Sequence, residues 1–203
     1  MSKGKARILA LGASATAGTP GFFSPRERPP DGQGNPQSQY AYWIMQKCPQ
    51  WEILNRGMRG QRTDQILSRF AYDVLDNYPQ GVIILAGSND LYQGYDCAHA
   101  LDNLLTMFKA AQRANIWVIA CSLLPLDFAD HELKSRIVDF NVSLRETASE
   151  LKIGFCDLYE AMEDPEHRGF LRTSPDQVHP DVAGYRRMGE TLVPLIEKQL
   201  SPE

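Results

Sequence analysis

The chain is sparing with cysteine and has neither basic clusters nor long apolar runs, and each lack removes a class of protein. Its four cysteines, Cys48, Cys97, Cys121 and Cys156, are far apart and form no C-x-x-C pair. That spacing argues against a zinc clamp or a redox dithiol, so free thiols and no bound metal are expected. A chain of this length needs no covalent staples, which suits a reducing cytoplasm. No uninterrupted apolar span approaches the roughly twenty residues of a bilayer crossing, so stable membrane insertion is not expected. With a formal net charge of −4 and no run of Lys or Arg, nucleic acid is not expected as a partner either.

The first residues, "MSKGKAR" followed by "ILALGASATAG", imitate the basic, apolar and small-residue zones of a secretory signal. The apolar part runs only from Ile8 to Leu11 before a glycine, which is short for a signal core, so this segment is read as structure.

What is present is ordinary globular composition, with 43% hydrophobic and 23% charged residues in 203. Residues 1–203 are expected to form a single domain. Five short β-rich apolar runs are spread along it: "RILALG", "WEILN", "GVIILAG", "IWVIACS" and "IGFCDL". Between them stand stretches with helical spacing: "SQYAYWIMQKC", "TDQILSRFAYDVLDNY", "CAHALDNLLTMFKAAQRA" and "HELKSRIVDFNVSLRETASELK". A last helix fits "DVAGYRRMGETLVPLIEKQL", with Pro194 expected to kink or divide it. Strand alternating with helix predicts right-handed crossovers, hence a three-layer α/β/α sandwich around a five-stranded parallel sheet. Ligands of such sheets sit beyond the carboxyl ends of the strands, so the residues just after each strand carry the most information.

Those positions hold an acyl-transfer set: a nucleophile, a base, a group to orient the base, and donors for an oxyanion. Ser14 follows the first strand in "GASATAG", where only small residues surround it and leave its hydroxyl open. Of the four histidines, His99 and His131 fall inside expected helices. His179, in "DQVHPD", is better placed, with Asp176 three residues earlier able to reach its Nδ1 proton and Pro180 expected to open the next helix. Gly60, closing "NRGMRG" after the second strand, and Asn89, in "GSND" after the third, can supply donors. Each residue alone also has an ordinary reading: a helix cap or exposed pair for Asp176 and His179, a turn for Gly60, an Asx turn or cap for Asn89. Phe22 and Phe23 in the Pro- and Gly-rich segment after Gly18, with Leu91, Tyr92 and Tyr95 and the run from Leu123 to Phe128, could line a substrate pocket or anchor loops in the core.

Taken in order, "GASATAG", "NRGMRGQRT", "GSND" and "DQVH" resemble the four blocks of the SGNH or GDSL hydrolases, and the resemblance spans nearly the whole chain. It implies a flavodoxin-like hydrolase fold and a lipase-like serine esterase that needs no cofactor. Ser14 would be the nucleophile, His179 the base and Asp176 its orienting partner. The oxyanion hole would come from the Ser14 N–H, Gly60 and the Asn89 side chain. Ala13 departs from the family pattern by standing where an aspartate is usual. The expected substrate is a small-molecule ester or thioester, with a carbohydrate or lipid deacylase as the alternative within the family. A nucleotide-binding flavodoxin-like domain is the rival outside it, although neither G-x-G-x-x-G nor a P-loop follows the first strand. The oligomeric state is left open.

Overall fold

The computed structural model describes residues 5–18 and 35–201, so Phe22 and Phe23 lie outside the described residues. In chain order the elements are β1 (Ala6–Gly12), α1 (Ser14–Ala17), α2 (Tyr40–Lys47), β2 (Trp51–Gly57), α3 (Thr63–Ser68), α4 (Phe70–Asp73), β3 (Gly81–Leu85) and α5 (Ser88–Tyr92). They continue with α6 (Cys97–Arg113), β4 (Trp117–Cys121), α7 (His131–Glu150), β5 (Gly154–Cys156), α8 (Leu158–Met162) and α9 (Val182–Leu200). The strands pair in parallel in the order β2-β1-β3-β4-β5, with Leu11 of β1 facing Arg56 of β2 and Ile84 of β3. This is the five-stranded parallel sheet expected from the alternation of strand and helix patterns.

The two-residue period of a strand divides the apolar side chains between two layers. Leu9, Leu11, Val82, Ile84, Val118 and Ala120 pack under α3, α4, α6 and α7, against Ile66, Phe70, Leu104, Phe108 and Phe140. Ile8, Ala10, Ile83, Leu85, Ile119 and Cys121 face the other way, into Tyr40 and Ile44 of α2 and Tyr185, Leu192 and Ile196 of α9. Every residue of β3 is buried, as a central strand covered on both faces requires. Each fully buried aliphatic side chain contributes roughly 2 kcal/mol, so the two layers hold the sheet ends in place. Among the described residues no helix is long and apolar enough to cross a membrane.

Four local expectations are corrected. The stretch "TDQILSRFAYDVLDNY" is broken at Arg69 (φ −105°, ψ 2°), and a 3₁₀ turn at Leu75–Asn77 ends it. At the break the Arg69 side chain bonds the carbonyls of Gly12 and Arg56 and the Asp73 carboxylate. Pro194 does not divide α9, because Met188 and Leu192 before it and Ile196 after it are anchored in one core. That helix begins at Val182 rather than Pro180, since Asp181 is its cap and accepts from the Gly184 N–H. The fifth strand stops at Cys156 because Asp157 turns out of it to cap α8.

Candidate active site

The β1–α1 turn is built by close approach. Asn55, buried near the end of β2, donates through Nδ2 to the Thr16 carbonyl at 2.6 Å and to Gln39 Oε1 at 3.1 Å, while its Oδ1 accepts from the Gly57 N–H at 2.9 Å. At Gly57 a Cβ would lie 2.0 Å from the Ala17 nitrogen, so only glycine lets α1 rest directly on β2. Arg69 secures the other side with a 3.0 Å bond from Nη2 to the Gly12 carbonyl. Thr16 and the buried Tyr40 hydroxyl share a further hydrogen bond of 3.2 Å. Ala13 therefore sits in a turn held by Asn55 and Arg69 without a carboxylate of its own. Ser14 is the first residue of α1, where the backbone N–H has no helical acceptor.

His179 comes to Ser14 from the loop before α9. Its Nε2 lies 2.7 Å from Ser14 Oγ, and its Nδ1 lies 2.7 Å from Asp176 Oδ2. Asp176 Oδ1 also accepts from the N–H groups of Val178 (3.0 Å) and His179 (2.8 Å), closing a tight turn around Gln177 at φ 65°. Ser174 Oγ donates to the His179 carbonyl, and the Gln177 carbonyl accepts from Asp127 N–H, which ties this loop to the one after β4. The imidazole is 9% exposed and the Asp176 side chain 42%. Partial burial raises the Asp176 pKa, but the hydrogen bond from His179 and the two backbone N–H groups outweigh it, leaving the carboxyl below its ordinary value. An ionised Asp176 holds the Nδ1 proton and leaves Nε2 toward the serine hydroxyl.

Gly60 and Asn89 reach the same cavity, of about 490 Å³, that Ser14 and His179 line. Gly60 has φ 74°, a left-handed conformation that an L side chain rarely adopts. Asn89 does not cap α5; it donates through Nδ2 to the Gln61 carbonyl at 2.9 Å. One amide hydrogen is thereby anchored, and a carboxamide carries two.

Asp90 is the member of "GSND" to which the sequence reading gave no role. It is buried and accepts from Thr63 N–H at 3.0 Å and from Thr63 Oγ1 at 2.6 Å, while Asn103 donates to the same threonine oxygen at 3.0 Å. Burial raises its pKa and the Thr63 hydrogen bonds oppose that rise. This network fastens the start of α5, with Asn89, to the start of α3, beyond Gly60. Asn55 was equally visible in "NRG" and equally without a role, because only its neighbours in space disclose one.

Of the expected pocket residues, Tyr92 lines the cavity and Leu91 does not. Leu91 turns into the core under α6 and α7, one residue along the helix from Tyr92 and hence on a different face. Tyr95 instead lies beneath the Arg62 guanidinium, 4.6 Å from ring centroid to Cζ. Leu124, Leu126 and Phe128 join the cavity wall, with Phe128 edge-on to Tyr92 at 5.1 Å, whereas Leu123 is core. Among the described residues no group of three or more His, Cys, Asp or Glu could hold a metal ion.

The model of the GDSL-like lipase/acylhydrolase family matches residues 10–187. A GDSL-like lipase from Bacteroides thetaiotaomicron superposes with a TM-score of 0.76 at 26% identity, over 96% of this chain and 89% of that one. A protein assigned to the lipolytic G-D-S-L family, from Desulfitobacterium hafniense, gives 0.76 at 24% identity, over 94% of this chain and 99% of that one. The lipase/acylhydrolase of Enterococcus faecalis gives 0.73 at 24% identity, over 97% and 98%. No curated protein sequence matches the chain.

Proposed function

Since the chain belongs to the GDSL-like lipase/acylhydrolase family, we propose that it cleaves carboxylic esters or thioesters through an acyl-enzyme on Ser14. The observation that carries this reading is the unbroken relay of two 2.7 Å contacts from Asp176 through His179 to Ser14. His179 Nε2 takes the hydroxyl proton as Ser14 Oγ bonds to the substrate carbonyl carbon, and the carbonyl π pair moves onto its oxygen. As that pair returns, the bond to the leaving group breaks and His179 delivers the proton to it. Water then repeats the sequence on the acyl-enzyme, releasing the acid and regenerating Ser14. Asp176 stays ionised throughout and balances the imidazolium.

The oxyanion would be met by the N–H groups of Ser14 and Gly60 and by the second Asn89 amide hydrogen. Each such donor lowers the barrier by about 3 kcal/mol because it is held in place before charge develops. The apolar wall of Leu124, Leu126 and Phe128 supports an acyl chain on that side of the serine.

The test is covalent labelling of the intact protein by a fluorophosphonate, read by mass spectrometry. One adduct on Ser14, absent from Ser14→Ala, is expected; labelling elsewhere, or of the variant, would overturn the assignment.

A further inference from the structure

The strand order gives the site two unlike sides. Ser14 stands just beyond β1, which lies between β2 and β3. The loop after β2 brings Arg59 and Gly60 to one side, while the end of β3 and the segment after β4 bring Leu85, Leu124, Leu126 and Phe128 to the other. A substrate carbonyl over Ser14 therefore has an apolar wall on one hand and Arg59 on the other.

Among the described residues, Arg59 is the one permanently charged side chain lining the cavity, and no carboxylate lines it. The neighbouring arginines of "NRGMRGQR" are committed elsewhere: Arg56 stands 3.9 Å from Asp73, and Arg62 pairs with Asp64 at 3.0 Å and covers the Tyr95 ring. Arg59 is exposed, and among the described residues no hydrogen bond or ion pair engages it. In a chain of net charge −4, a cation at the cleft mouth attracts anions locally, and cleft walls concentrate its field. Its planar fork matches the oxygens of a carboxylate or phosphate, which a neutral ester does not offer.

We propose that Arg59 is a specificity-determining residue that receives an anionic group on the substrate, so that the preferred ester is apolar at one end and carries a carboxylate or phosphate at the other. This rests on the ester-hydrolase reading above. The anion adds no step to the chemistry; its contact with Arg59 is made in the bound substrate and kept through the transition state, so it acts mainly on KM.

The experiment compares four esters on one preparation: 4-nitrophenyl butyrate, which is neutral; 4-nitrophenyl hydrogen glutarate, anionic in its acyl part; and 4-butyryloxybenzoate and 4-butyryloxyphenyl phosphate, anionic in the leaving group. Arg59→Gln is expected to reduce the ratio of kcat/KM for an anionic ester to that for the neutral one by about tenfold, the size of one charge-assisted hydrogen bond. The loss should appear in KM, and Arg59→Lys should restore part of it. Added salt should lower the same ratio in the unmodified protein. Which anionic ester responds tells which half of the substrate lies toward β2 and whether carboxylate or phosphate fits. Ratios unchanged by Arg59→Gln for all three anionic esters would overturn the proposal while leaving the hydrolase reading intact. Failure of the unmodified protein to turn over any of the four would overturn both.

Discussion

His179 Nε2 stands 2.7 Å from Ser14 Oγ although 165 positions separate the two residues in the chain. The contact exists because β1 lies inside the sheet, between β2 and β3, and the loop before α9 reaches its carboxyl end, where the Gln177 carbonyl accepts from the N–H groups of Asp127 and Phe128 in the β4–α7 loop. Neither partner is held by the other alone: Asn55 and Gly57 seat the serine turn, and Asp176 and Ser174 seat the imidazole.

His179→Ala is expected to reduce kcat for a short-chain aryl ester by at least about a thousandfold, since the serine then lacks a base. Circular dichroism should show the fold retained. Turnover at the unmodified rate in a folded variant would remove the base from the mechanism.

Asp176→Asn keeps the shape but loses the charge, and kcat should fall by roughly four orders of magnitude. The pH dependence follows from the depressed pKa of this carboxyl. Its stabilising contribution is present above the unfolded value, about 3.9, and disappears as pH falls through the lower folded value. The gap in melting temperature between the unmodified protein and Asp176→Asn should therefore be full at neutral pH and narrow on acidification through that range. A gap that widens in acid would contradict the assigned direction.

Under the proposed oxyanion role, Asn89→Ala should lower kcat by about a hundredfold or more with little change in KM, because its second amide hydrogen would meet charge that develops on the way to the tetrahedral intermediate. Steady-state kinetics on one ester separates the two parameters. A change confined to KM would place Asn89 in ground-state binding instead.

Asp90→Ala leaves the Thr63 N–H and hydroxyl without their acceptor in a buried place, at a cost of about 1–3 kcal/mol. Thermal unfolding should show the loss, together with a fall in kcat as Asn89 loses its anchorage. A melting temperature equal to that of the unmodified protein would mean the network contributes nothing.

Much of this was legible in the chain itself. The apolar runs carried enough alternation and burial to give all five strands, and "GASATAG", "GSND" and "DQVH" stood at strand ends where a parallel sheet collects its ligands. The errors share one origin. Arg69 broke a helix whose local pattern was continuous, and Pro194 failed to break one whose pattern was interrupted, because in both cases distant partners outweighed local preference. Leu91 and Tyr92 were left open between pocket and core because adjacent helical residues differ by about 100° in direction, and composition does not say which of two faces the wall.

By itself the sequence determined the order of strands and helices, the small residues that make room at Ser14, and the chemical kinds present at each strand end, since these depend on neighbours within a few positions. Only the tertiary structure decided the strand order, the meeting of Ser14 with His179, and the gathering of Arg59 and the apolar wall around one cavity. Those relations span long stretches of chain, and they are set by how two buried layers close on one sheet rather than by any preference a short segment carries.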